Sequence, residues 1–111
     1  MLLSKDQIIA ANDLPREMVE VTQWGGSVWV RGMSAGERDY FEDKIRTDGM
    51  VNLRSLMASM TMIDEDGKRL FTDKEVKQLG EKSAEALDKI VEVASKLSGL
   101  LDSDIETLEG N

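Results

Sequence analysis

The sequence predicts a mainly helical α+β domain in which an N-terminal β-hairpin packs on a small bundle of about four helices. Three observations lead there. Residues 17–23 alternate apolar and polar and meet Val28-Trp29-Val30-Arg31 across Gly25-Gly26, the pattern of two strands and a tight turn. Ser4-x-x-Gln7, Ser34-x-x-Glu37 and Thr72-x-x-Glu75 each have the form of a helix-opening capping box. Leu87, Ile90, Val91, Ala94 and Leu97 recur at the spacing of one apolar helix face.

The first capping box precedes Ile8-Ile9-Ala10-Ala11 and predicts a short helix that stops at Asn12-Asp13-Leu14-Pro15. With Gly25-Gly26 as a two-residue loop, counting sets Val21 opposite Val30, Gln23 opposite Val28, Thr22 opposite Trp29 and Glu20 opposite Arg31. One face is then aliphatic, and the other carries both tryptophans. Ser34 opens a second helix through about Arg46, with Tyr40, Phe41 and Ile45 as its apolar edge and Glu42 placed to pair with Arg46. From about Val51, the residues Leu53, Leu56, Met57 and Met60 predict a core-facing helix, followed by a turn at Asp66-Gly67. Thr72 opens a short helix that Gly80 stops. The last long helix runs from about Lys82 or Ser83 to Lys96, with Glu85–Lys89 and Glu92–Lys96 on its wet face, and Ser98-Gly99 ends it. Residues 1–99 thus form a single globular domain. Residues 100–111, with four acids and no base, form an acidic and mobile tail in which Ser103-Asp104-Ile105-Glu106 is able to cap one more turn.

Composition narrows the function. The chain has no His and no Cys. It therefore lacks the commonest acid–base group and transition-metal ligand, and it has neither a thiolate nor a disulfide. Zinc, haem and iron–sulfur chemistry are not expected, no cofactor is implied, and the chain reads as a non-enzyme. A formal charge of −8 repels phosphate backbones and anionic bilayers, so nucleic acid and membrane are not expected partners. No long apolar run opens the chain, and a cytoplasmic location follows as the expectation.

Constellations that resemble chemistry do not hold up. Counting from Asp64, Glu75 falls at the twelfth place of a calcium loop, but Lys68 occupies a ligand position and Arg69 the place of the required glycine. Gly25-Gly26 is followed by no Gly-Lys-Ser or Gly-Lys-Thr, so it is not a phosphate loop. No pair among the 22 acids stands apart by its spacing.

Two features carry a binding reading beside a structural one. Trp24 and Trp29 are either buried under the helices or partly exposed, and in the second case they are ready anchors for a protein partner. Met57 and Met60, within a cluster that includes Met50 and Met62, are either core filler or an adaptable apolar surface. Trp24, Trp29, Met57 and Met60 are the candidate protein-binding residues.

These strings, taken together and in order, resemble a known family. They are Ile8-Ile9-Ala10-Ala11-Asn12-Asp13, Val19-Glu20-Val21 with Trp24-Gly25-Gly26 and Val28-Trp29-Val30-Arg31, Glu37-Arg38-Asp39 with Phe41-Glu42, Asp64 to Thr72, and Leu79-Gly80 to Ser83-Ala84. The chain resembles the tail assembly chaperones of long-tailed, siphovirus-type bacteriophages and prophages from about Leu3 to Leu100. The resemblance implies a protein that acts in the host cytoplasm, coats the apolar, helical tape-measure protein until tail-tube subunits polymerise around it, and is absent from the mature virion. It also implies a longer, frameshifted form that recruits the tail-tube protein, with the acidic tail leading into the extension. Self-association is compatible with this role. A structural minor tail or head–tail connector protein, retained in the particle, is the alternative.

Overall fold

A computed structural model describes residues 1–100 of the chain. Its order of elements is α1 (Lys5–Ala10), β1 (Arg16–Val21), β2 (Gly26–Arg31), α2 (Ala35–Asp48), α3 (Leu53–Thr61), β3 (Met62–Ile63), α4 (Val76–Leu79) and α5 (Ala84–Leu97). This is the expected α+β class, with an N-terminal antiparallel hairpin against a helical remainder.

The hairpin forms, but with a longer loop than the glycine pair suggests. Residues 22–24 make one turn of 3₁₀-helix, and Gly25, at φ 75°, donates its N–H to the Thr22 carbonyl at 3.1 Å. Only Gly25 uses the left-handed region; Gly26 already belongs to β2. Lys89 Nζ of α5 helps hold this turn, donating to Gln23 Oε1 at 3.2 Å and to Thr22 Oγ1 at 3.4 Å. The register therefore pairs Met18 with Trp29, Val19 with Val28, and Glu20 with Ser27. It corrects the expected pairing of Thr22 with Trp29 and of Glu20 with Arg31. The slip is an even number of residues, so each side chain keeps its face. Val19, Val21 and Val30 still point inward and are buried.

A third strand completes the sheet in the order β1-β2-β3, with Trp29 opposite Ile63 and Val30 opposite Met62. The expectation of a single hairpin missed it because two residues are too short for any periodic signal. The turn at Asp64 to Lys68 returns the chain so that Ile63 bridges Arg69. Asp64 Oδ1 accepts the N–H groups of Asp66 (2.8 Å) and Lys68 (3.0 Å). Its carboxylate is thus committed to the turn, and Gly67 sits at φ 86°. Among the described residues no three acidic groups cluster as a metal would require.

All three capping boxes are made. The box at Ser34 fixes where α2 leaves the sheet, and Gly49 ends that helix. On its surface Glu42 pairs back to Arg38 at 3.5 Å, rather than forward to Arg46. Asn52 adopts φ 61°, which breaks the expected continuous run from Val51 and delays α3 to Leu53. α5 lays its Leu87, Ile90 and Ala94 stripe into the core. Its lysines, expected to pair within the helix, instead cross to the hairpin: Lys96 Nζ lies 3.1 Å from Glu17 Oε1. α5 thereby grips β1 by an apolar face and a charged edge.

The core joins Val21 and Val30 of the sheet to Phe41, Ile45, Met57, Met60, Ile90 and Ala94 of the helices. Leu100, expected to begin the tail, is buried against this core. Residues 101–111, including the suggested cap at Ser103, lie outside the described residues. At the other end, α1 forms as expected but buries none of its residues.

Candidate protein-binding surface

The four candidate residues separate into two environments. Met57 and Met60 lie in the core, at 0% and 2% exposure, and present no surface to a partner. The reason is that α3 is enclosed on most sides: Ser55, Ser59 and Thr61 are buried along with its apolar residues. Burial of Ser59 and Thr61 is tolerated because Ser59 Oγ donates to the Leu56 carbonyl at 2.7 Å and Thr61 Oγ1 to that of Met57 at 2.8 Å. The Met57 sulfur accepts from Ser95 Oγ at 3.4 Å, tying α3 to α5.

Both tryptophans reach the surface. Trp24 ends the hairpin turn and is 36% exposed. Trp29 lies on the outer face of the sheet and is partly buried. The two are separated by the longer loop and do not form the diagonal pair that a two-residue turn would give. Instead Met18, 55% exposed, stands directly across from Trp29, and Ile63 flanks it on the other side. This row of Met18, Trp29 and Ile63 crosses all three strands. The Arg16 guanidinium covers the Trp29 ring at 4.9 Å from its centroid, a cation–π contact, and Arg16 Nη1 donates to the Glu65 carbonyl at 3.2 Å. Met18 and Arg16 were missed from the sequence because the wrong register placed Thr22 beside Trp29.

One charged pair anchors this face. Arg31 makes a two-pronged salt bridge to Glu37, with Nη1–Oε1 at 2.7 Å and Nη2–Oε2 at 2.9 Å. Burial alone would raise the Glu37 carboxyl, but Arg31 and the Ser34 backbone N–H hold it below the ordinary carboxylate range. The hydrogen bond to Glu37 in turn raises Arg31. Glu37 belongs to the capping box of α2 and Arg31 to β2, so the pair locks the sheet to the first turn of the helix.

A groove of mixed character lies between α2, α3 and α4, with Lys44, Asp48, Asn52 and Asp73 among its lining. Tyr40 and Ile45 of α2, Val51, and Leu53 and Leu56 of α3 form a groove of about 160 Å³ with Val76 of α4. The sequence held a partial signal for it in the Tyr40 edge of α2. Its convergence with Val51 and Val76 depends on the tertiary fold.

Searches among family models and among curated proteins found no match. A solved structure does match: the tail assembly chaperone of bacteriophage HK97 superposes with a TM-score of 0.66 over 87% of this chain and 95% of that one, at 18% identity. This chain therefore shares the fold of a phage tail assembly chaperone along nearly its whole described length, as the sequence resemblance implies.

Proposed function

We propose that this chain is a tail assembly chaperone of a long-tailed bacteriophage. In this reading it binds the tape-measure protein in the host cytoplasm, keeps that apolar helical polypeptide in solution, and helps bring tail-tube subunits to it through an extended form. The observation that carries the reading is the fold shared with the HK97 chaperone over 95% of that protein. The site supports it. The Met18–Trp29 row and Trp24 offer an apolar, partly exposed surface that suits one face of a partner helix. Met57 and Met60, being core residues, act only by supporting that surface.

The role needs no catalytic step and no cofactor. A net charge of −8 keeps a coated apolar partner dispersed, and many modest contacts along one long chain remain individually reversible. Quantitative mass spectrometry of infected cells and of purified virions tests the reading against a minor tail or connector protein. A chaperone is abundant in the infected cell and missing from the particle. Stoichiometric recovery from virions would instead establish a structural component.

A further inference from the structure

The outer face of the sheet carries two charges that nothing in the fold answers. By alternation, Arg16, Met18 and Glu20 of β1 share this face with Ser27, Trp29 and Arg31 of β2. Val19, Val21 and Val30 point the other way, into the core beneath α5. Arg16 stands directly opposite Arg31, a like-charge pairing that is unfavourable by itself. Arg31 is matched by Glu37 at 2.7 Å. Arg16 and Glu20, both exposed, have no ion-pair partner among the described residues.

Arg16 is nevertheless held in place. Its guanidinium lies over the Trp29 ring at 4.9 Å and donates to the Glu65 carbonyl at 3.2 Å, so its charge stays beside the apolar row. Past Trp29 the row opens into a hollow of about 270 Å³ over Ile63, bordered by Arg16, Arg31, Glu65 and Asp66. Arg16 and Glu20 thus stand on opposite sides of the row, with Met18 midway between them on β1. Four strand residues separate the two by about 14 Å. An α-helix with its side chains is about 10–12 Å across. A helix whose apolar stripe follows Met18 to Trp29 fills that space, with one flank against Arg16 and the other against Glu20.

We propose, building on the use of this surface in the tail-assembly reading, that the sheet selects an amphipathic helix with acid on one flank of its apolar stripe and base on the other. The acid meets Arg16 and the base meets Glu20. Turning such a helix end for end, with its stripe still down, exchanges the flanks and sets like charges together. The pair therefore also fixes the direction in which the helix lies across the strands. A helix with the same charge on both flanks meets one attraction and one repulsion whichever way it lies.

Leu-striped helical peptides of about 18 residues, free of tryptophan and carrying Glu/Lys, Lys/Lys or Glu/Glu flanks, test this through the indole signal of Trp29 at physiological ionic strength. The unmodified protein is expected to bind the Glu/Lys peptide about two- to fivefold more tightly than either of the others. Arg16→Glu should move the preference to Lys/Lys, and Glu20→Lys should move it to Glu/Glu. Glu20 is exposed and unpaired, so Glu20→Lys leaves the fold intact and carries the test by itself. Glu92→Lys, the same change of charge at an exposed position of α5, should leave the ranking as it is. Equal binding of all three peptides would overturn the proposal. So would a preference of the unmodified protein for Lys/Lys, since the net charge of −8 with Glu65 and Asp66 would then decide, or a ranking that Glu92→Lys alters as much as Glu20→Lys. Failure of every peptide to bind would remove the helix-binding surface itself, while the tail-assembly reading is decided separately by the content of the virion.

Discussion

Glu37 performs two tasks with one carboxylate, capping α2 through the Ser34 N–H at 2.9 Å and holding Arg31 by two bonds. Glu37→Gln keeps an acceptor for the cap but loses the charge, and should cost about 1.5–3 kcal/mol near neutral pH. The folded pKa of Glu37 is depressed, so its contribution is complete above the unfolded value of about 4.3 and is lost as pH falls through the folded value. Urea denaturation across pH should therefore show the two proteins converging in acid. The methionines make the complementary point. Met57→Ala should lower stability by about 2–5 kcal/mol, as for other buried methionines, whereas Trp29→Ala should cost less stability and weaken binding of an apolar helix. Thermal melts and binding isotherms of the two variants separate these effects. The sequence left Met57 and Met60 undecided because methionine suits both a core and an adaptable surface. The deciding fact, that Ser55, Ser59 and Thr61 of α3 are buried as well, has no apolar signature.

Among the elements, the capped helices were the most legible and the hairpin loop the least. Capping boxes are local, and Ser4, Ser34 and Thr72 each form one. The loop is decided by distant contacts: Lys89, 67 residues from Thr22, reaches the 3₁₀ turn that displaces the expected Gly-Gly connection. The two-residue β3 exists only because β2 is beside it. One glycine marks where elements meet most closely. A Cβ on Gly32 would lie 2.6 Å from the Leu97 carbonyl oxygen at the end of α5, while a Cβ on Gly36 meets nothing within 4 Å. Gly32→Ala should destabilise by about 1–3 kcal/mol through overpacking against backbone. Gly36→Ala, in the first turn of α2, should be neutral or stabilise by up to about 1 kcal/mol. Chemical denaturation of the pair checks the contrast.

At the scale of the molecule, the α+β fold class was readable from the order of the elements, and the resemblance reached the same architecture as the HK97 chaperone at only 18% identity. The surfaces were not readable. The Met18–Trp29 row depends on register, and the Tyr40–Val51–Val76 groove, of which only the Tyr40 edge left a trace in the sequence, on how α2, α3 and α4 converge. The most direct test of the proposed function is co-expression with the tape-measure protein of the same phage, followed by affinity purification and a comparison of soluble yield. The account predicts that the tape-measure protein becomes soluble and co-purifies with this chain, and that Trp29→Ala reduces both. A tape-measure protein that stays insoluble and unbound, with this chain folded and abundant, would contradict it.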